Sequence, residues 1–155
     1  RMPTTVVPSI GALKSLVGQK LGVSEWVTVT QQQINSFADA TGDHQWIHVD
    51  VERAKRESPF KQPIAHGYLT ISLAPVLLPQ VVRVEGVRMA VNYGLESMRL
   101  PAPVPSGARV RMSAELKDVR DMSGGGARVT FGMVFEVEGG GKPACIADAI
   151  YVYYP

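Results

Sequence analysis

The chain has 155 residues, 45% of them hydrophobic, which is enough to close one core of ordinary size without disulfides or a metal. Its 16 basic and 14 acidic residues leave a formal charge of +2 and are scattered, so no basic block tracks a nucleic-acid backbone and no nucleic-acid partner is expected. Cys145 is the lone cysteine, in an apolar run that reads as a buried, inert thiol, and no charged segment leads into an apolar core at the start, where Arg1 ahead of Met2 looks like an appended residue. A reducing cytoplasm is the expected setting.

Residues 1–24 read as an N-terminal extension ahead of a single domain over 25–155. Within the extension Ser9 is placed to cap a short helix through about Val17, with Ile10, Leu13 and Leu16 at helical spacing. Residues 25–29 alternate as a strand, and Thr30 makes a good N-cap for a helix from Gln31 to about Thr41, stopped by Gly42. Ile34, Phe37 and Ala38 share one face of that helix, so one side packs and the other is wet. A short helix over 51–55 and a charged loop to Pro63 follow. Residues 67–82 are apolar nearly all round and predict a central buried helix. At about 15 residues, with Pro75 and Pro79 inside, the apolar run is too short for the roughly 20 residues of a spanning helix, so no membrane insertion is expected.

Beyond this helix the period changes to alternation. A strand over 87–93 precedes the proline-rich linker 100–105, and Val110, Met112, Ala114, Leu116 and then Val129, Phe131, Met133, Phe135, Val137 mark two half-buried strands. Residues 144–154 form a last long strand, with the glycine runs 124–126 and 139–141 as the turns between. One greasy helix followed by an antiparallel meander predicts an α+β domain in which the sheet wraps the helix, a hot dog. A long final strand at the edge of an open sheet leaves a surface that a second copy can cover.

Two polar clusters carry the chemistry that the sequence offers. In Thr41-Gly42-Asp43-His44-Gln45-Trp46-Ile47-His48, the carboxylate and imidazole are five residues apart, about 140° around a helix, and converge only if the segment bends; Gly42 allows that bend. Converged, Asp43 and His48 form an acid/base unit near neutral pH. Taken alone, the same residues also fit a turn cap and a packed loop histidine. In Ala65-His66-Gly67-Tyr68, at the start of the apolar helix, the Gly67 amide is placed to stabilise a developing oxyanion, while an ordinary helix cap made by His66 fits the same residues.

Together the two clusters resemble the MaoC-like, or hydratase 2, family, whose signature runs Gly-Asp-x-Asn-Pro-hydrophobic-His and then Ala-His-Gly. Arg99-Leu100-Pro101-Ala102-Pro103-Val104-Pro105-Ser106-Gly107 is similar to the family's Arg-Phe-x-x-Pro-Val-x-x-Gly stretch. The resemblance implies a hot-dog homodimer that hydrates trans-2-enoyl-CoA to (R)-3-hydroxyacyl-CoA in fatty-acid metabolism. It places Asp43 and His48 on the water and Gly67 at the thioester oxygen. It suggests substrate contacts at Gln45, Ser72, Asn92 and Arg99, with Trp46 and Tyr68 lining an acyl tunnel. No metal and no cofactor beyond the CoA of the substrate are implied. One departure stands out: Gln45-Trp46 replaces the family's Asn-Pro, which bears on the local backbone path and on the acyl group admitted. A hot-dog thioesterase and a non-catalytic acyl-thioester binding module are the alternatives.

Overall fold

The computed structural model describes residues 3–155; the reading of Arg1 and Met2 lies outside them. The strands are β1 (Thr5–Val7), β2 (Lys20–Val23), β3 (Val27–Thr28), β4 (Val82–Val84), β5 (Met89–Arg99), β6 (Arg109–Asp121), β7 (Ala127–Val137) and β8 (Cys145–Tyr154). The helices are α1 (Gln31–Thr41), α2 (Trp46–Val49), α3 (Val51–Glu57), α4 (Gly67–Ser72) and α5 (Ala74–Val81). The main sheet runs β2-β6-β7-β8-β5, with β3 also on β6, and its pairings are antiparallel; a small parallel pair joins β1 to β4.

The alternation expected of the meander is what buries it. Val110, Met112, Ala114 and Leu116 of β6 and Val129, Phe131, Met133 and Phe135 of β7 all face one core, together with Leu69, Leu73, Leu77 and Val81 from the two apolar helices. The sheet therefore wraps α4 and α5 as a hot dog. Cys145 is fully buried, and burial pushes its thiol up to about 11, which leaves it unreactive.

Five expectations are corrected. The segment before residue 25 is no appendage: β2 is a strand of the main sheet, and Val7, Leu13 and Leu21 belong to the same core. Its helix is a 3-10 segment, Gly11–Leu16, although Ser9 Oγ does accept the Ala12 amide at 3.1 Å. The central helix is two helices broken at Leu73, because Pro75 has no N–H with which to continue the ladder. It is also not enclosed within the protomer, since Tyr68 is 67% and Val76 62% exposed. Finally, the open edge is not the last strand. β8 lies between β7 and β5 with both sides paired, and β5 forms the edge, exposing Met89, Val91, Tyr93 and Leu95.

Candidate active site

The helix α1 starts and stops as its ends dictate. Thr30 Oγ1 accepts the Gln33 amide at 3.1 Å, and Gly42 closes the helix at φ 83°, a left-handed conformation that glycine adopts without strain. The chain then turns. Asp43 Oδ1 accepts the Gln45 amide at 3.3 Å, and α2 begins one residue later with His48 on its third position. The bend brings a carboxylate oxygen of Asp43, a ring nitrogen of His48 and a ring nitrogen of His66 all within 4.8 Å of one another.

His48 is buried and held on three sides. Gln31 Nε2 donates to its carbonyl oxygen at 2.8 Å, its own Nδ1–H donates to the Ile64 carbonyl at 2.7 Å, and its ring stacks on that of His66 with centroids 3.9 Å apart. Because a carbonyl can only accept, Nδ1 carries the proton and Nε2 keeps its lone pair. Desolvation lowers the His48 pKa from 6.5, the positive charge of a protonated His66 would lower it further, and the Ile64 carbonyl and Asp43 oppose both. The ring is thus a neutral base at physiological pH. Asp43, by contrast, is exposed.

Gly67 opens α4, where the first amides have no carbonyl within the helix to bond. The side chain of His66 makes no cap there, contrary to the simple capping reading; its Nε2–H donates instead to the Asp43 carbonyl at 2.9 Å. His48 and Gly67 line the same cavity of about 310 Å³, together with Phe60, Thr70, Leu100 and Pro101. Leu100 lies directly over Gly67, so closely that a Cβ there would overlap its Cδ1.

The other sequence-predicted contacts fall elsewhere. Ser72 and Asn92 share a second cavity of about 230 Å³ between the helices and β5 and β8. There the Ser72 hydroxyl donates to the Tyr68 carbonyl of its own helix at 2.6 Å. Arg99 is exposed and donates only to the Met98 carbonyl, Tyr68 points to solvent, and Gln45 is exposed. Trp46 is half-buried beneath Arg53, whose guanidinium carbon sits 4.2 Å from the ring centroid, and it does not line the His48 cavity. Sequence reasoning missed Phe60 and Thr70 as cavity residues. Leu100 stood inside the quoted proline-rich stretch, yet nothing in its spacing ties it to Gly67.

Asp43, His48 and His66 also form the acid and imidazole cluster a metal would use. Their stacking works against it. Stacked rings with centroids 3.9 Å apart and planes inclined by 25° do not bring two in-plane lone pairs onto one ion at the roughly 2.0–2.1 Å of a zinc–imidazole bond.

Residues 13–134 match the MaoC like domain family. The chain belongs to that family. It is 51% identical over 145 residues to 3-hydroxyacyl-thioester dehydratase Z of Mycobacterium tuberculosis, covering 94% of this chain and 95% of the relative. It is 41% identical to Nodulation protein N of Rhizobium meliloti, covering 93% and 90% of the two chains. Among solved structures it is similar to an (R)-hydratase from A. caviae involved in PHA biosynthesis, with a TM-score of 0.68 and 27% identity over 90% of this chain and 96% of that one. Among the described residues no helix is long and apolar enough to cross a membrane.

Proposed function

We propose that the chain is an (R)-specific enoyl-CoA hydratase, adding water reversibly to a trans-2-enoyl-CoA to give the (R)-3-hydroxyacyl-CoA. The observation that carries the reading is the meeting of the Asp43 carboxylate with His48, whose Nε2 lone pair is free, in a site whose cavity also holds Gly67. The named activities of the relatives from M. tuberculosis and A. caviae support it.

The step follows from the groups present. Asp43 orients a water, and His48 Nε2 takes one of its protons as the oxygen bonds to C3 of the enoyl thioester. The electron pair of the double bond moves toward the carbonyl, and the charge on the thioester oxygen meets the Gly67 amide. The proton then returns to C2 from the side on which the water stood, which makes the addition syn. Positioning and proton transfer suffice, so the proposal needs neither a metal nor a redox cofactor.

The substrate-binding unit in this proposal is a homodimer. The edge strand β5 exposes unpaired backbone groups and a row of apolar side chains beside the uncovered outer side of α4 and α5, with Val76 62% exposed. Pairing two copies there satisfies both and brings Ser72, Asn92 and Tyr68 under a partner.

The test is absorbance at the enoyl-thioester band with crotonyl-CoA and a longer trans-2-enoyl-CoA, with free thiol assayed in parallel. Loss of the band without thiol, abolished in Asp43→Asn and His48→Gln, supports the hydratase. Thiol release points to a thioesterase, and tight binding without turnover at any acyl length points to a binding module.

A further inference from the structure

His66 is buried, with 3% of its surface exposed, and no step above uses it. Its ring packs against rings from two helices, tilted by 51° against Phe37 of α1 with centroids 4.9 Å apart and stacked on His48 of α2 at 3.9 Å. Its edge donates Nε2–H to the carbonyl of Asp43, 23 residues away in sequence, and its own backbone leads directly into Gly67. Two residues before it, the Ile64 carbonyl holds Nδ1 of His48. That segment is pinned in turn, Ile64 N–H donating to the Ile47 carbonyl at 3.1 Å and Ala65 N–H to that of Val104 at 2.8 Å.

We propose that His66 is a positioning residue that sets the placement of Asp43, His48 and Gly67 relative to one another. The inference rests on the hydratase reading of the site. A single rigid ring touches the backbone of the acid, the face of the base and the chain entering the oxyanion amide, so its removal frees all three at once.

The Nδ1 edge separates this role from simple packing. It is buried without a hydrogen-bond partner among the described side-chain atoms, and an unpaired buried acceptor is a cost that phenylalanine would not carry. His66→Phe keeps the stack, removes that cost and loses the contacts of Nε2 with Asp43, the bond to its carbonyl and the 4.0 Å approach to its carboxylate, both on an exposed segment that can turn to water. Folding stability is therefore retained while the placement of Asp43 is not.

The experiment compares wild type, His66→Phe and His66→Gln, the last of which places an amide N–H near the lost Nε2 donor. In His66→Phe kcat for enoyl-CoA hydration falls by up to about 100-fold, the cost of a misplacement of about 1 Å in a reacting group. KM and melting temperature stay unchanged, and His66→Gln recovers part of kcat. An unchanged kcat in His66→Phe overturns the proposal, as does a rise in KM alone, or a fall in kcat matched by a fall in melting temperature. A readout independent of turnover accompanies it. Amide resonances of residues 43–45 broaden by microsecond to millisecond exchange in His66→Phe and sharpen again in His66→Gln. If wild type hydrates no enoyl thioester, the functional reading fails and those resonances alone decide: sharp, unshifted amides in His66→Phe overturn the positioning role.

Discussion

Replacing Gly67 by alanine probes the oxyanion position with little cost to the fold. The added methyl overlaps Leu100 Cδ1 by about 1 Å relative to the ~3.5–4.0 Å of ordinary carbon contact. Leu100 is 45% exposed, so its side chain can move aside rather than forcing the backbone apart. An off-rotamer leucine costs about 0.5–1.5 kcal/mol, and alanine in place of glycine at a backbone it can adopt returns about 0.4–1 kcal/mol, so stability changes by about 1 kcal/mol at most. Activity responds differently. The methyl and the displaced leucine both enter the cavity through which the thioester must approach the amide, and a misplacement of about 1 Å costs about 100-fold, or roughly 2.7 kcal/mol of barrier. The assay is kcat/KM for enoyl-CoA hydration beside a thermal melt, with Gly67→Ala/Leu100→Ala to separate the two intrusions. Recovery in the double variant assigns the loss to the leucine, and persistent loss assigns it to the methyl at the amide. If Gly67→Ala alone keeps wild-type kcat/KM, the Gly67 amide is not where the thioester oxygen sits.

Four further outcomes follow from the same geometry. Because burial holds the pKa of His48 below 6.5 and the base must be neutral, the acidic limb of kcat/KM falls below pH 6.5. The same shift makes the His48 contribution to stability complete above pH 6.5 and lost as pH falls from there through the folded pKa; NMR titration checks it, with exposed His44, raised by Asp39, titrating above 6.5. Val91→Lys places a charge on the open β5 edge and yields a protomer of 16.8 kDa by light scattering where wild type gives twice that mass; equal masses for both remove the proposed interface. Phe131→Ala, at a fully buried position packed against Tyr151 and Tyr153, lowers the unfolding free energy by about 3–5 kcal/mol in a denaturant titration.

What the sequence makes legible depends on how local the cause is. The limits of α1 follow from Thr30 and Gly42, both acting within one turn, and the faces of β6 and β7 follow from strict alternation. The break at Leu73 was legible in principle, since Pro75 forbids a continuous ladder, but the greasy composition masked it. The inclusion of β2 in the main sheet was not, because four residues with no alternating pattern join it only through pairing with β6, some ninety positions on. At the site the bend that brings Asp43 to His48 was anticipated from Gly42. The His66 stack was not: its partners come from α1, α2 and the turn between them, and no spacing rule relates position 66 to position 37 or 43.

The change from Asn-Pro to Gln45-Trp46 finds its explanation in the helix it opens. Trp46 is the first residue of α2, the position where proline is favoured because the N–H it lacks would have no partner inside the helix. A tryptophan there restores an N–H without displacing any helical bond, and the turn closes normally, His48 N–H donating to the Gln45 carbonyl at 3.0 Å and Asp50 N–H to that of Trp46 at 3.1 Å. Gln45 itself has φ −57° and ψ 138°, an extended geometry that suits a residue preceding either proline or tryptophan. The backbone path to His48 therefore does not depend on a proline ring. The indole bulk is absorbed outside the cavity, under the Arg53 guanidinium at 4.2 Å, rather than against the reacting pair. Phe60 and Leu100, by contrast, line the cavity with His48, so the residue that departs from the family pattern is not part of the cavity wall.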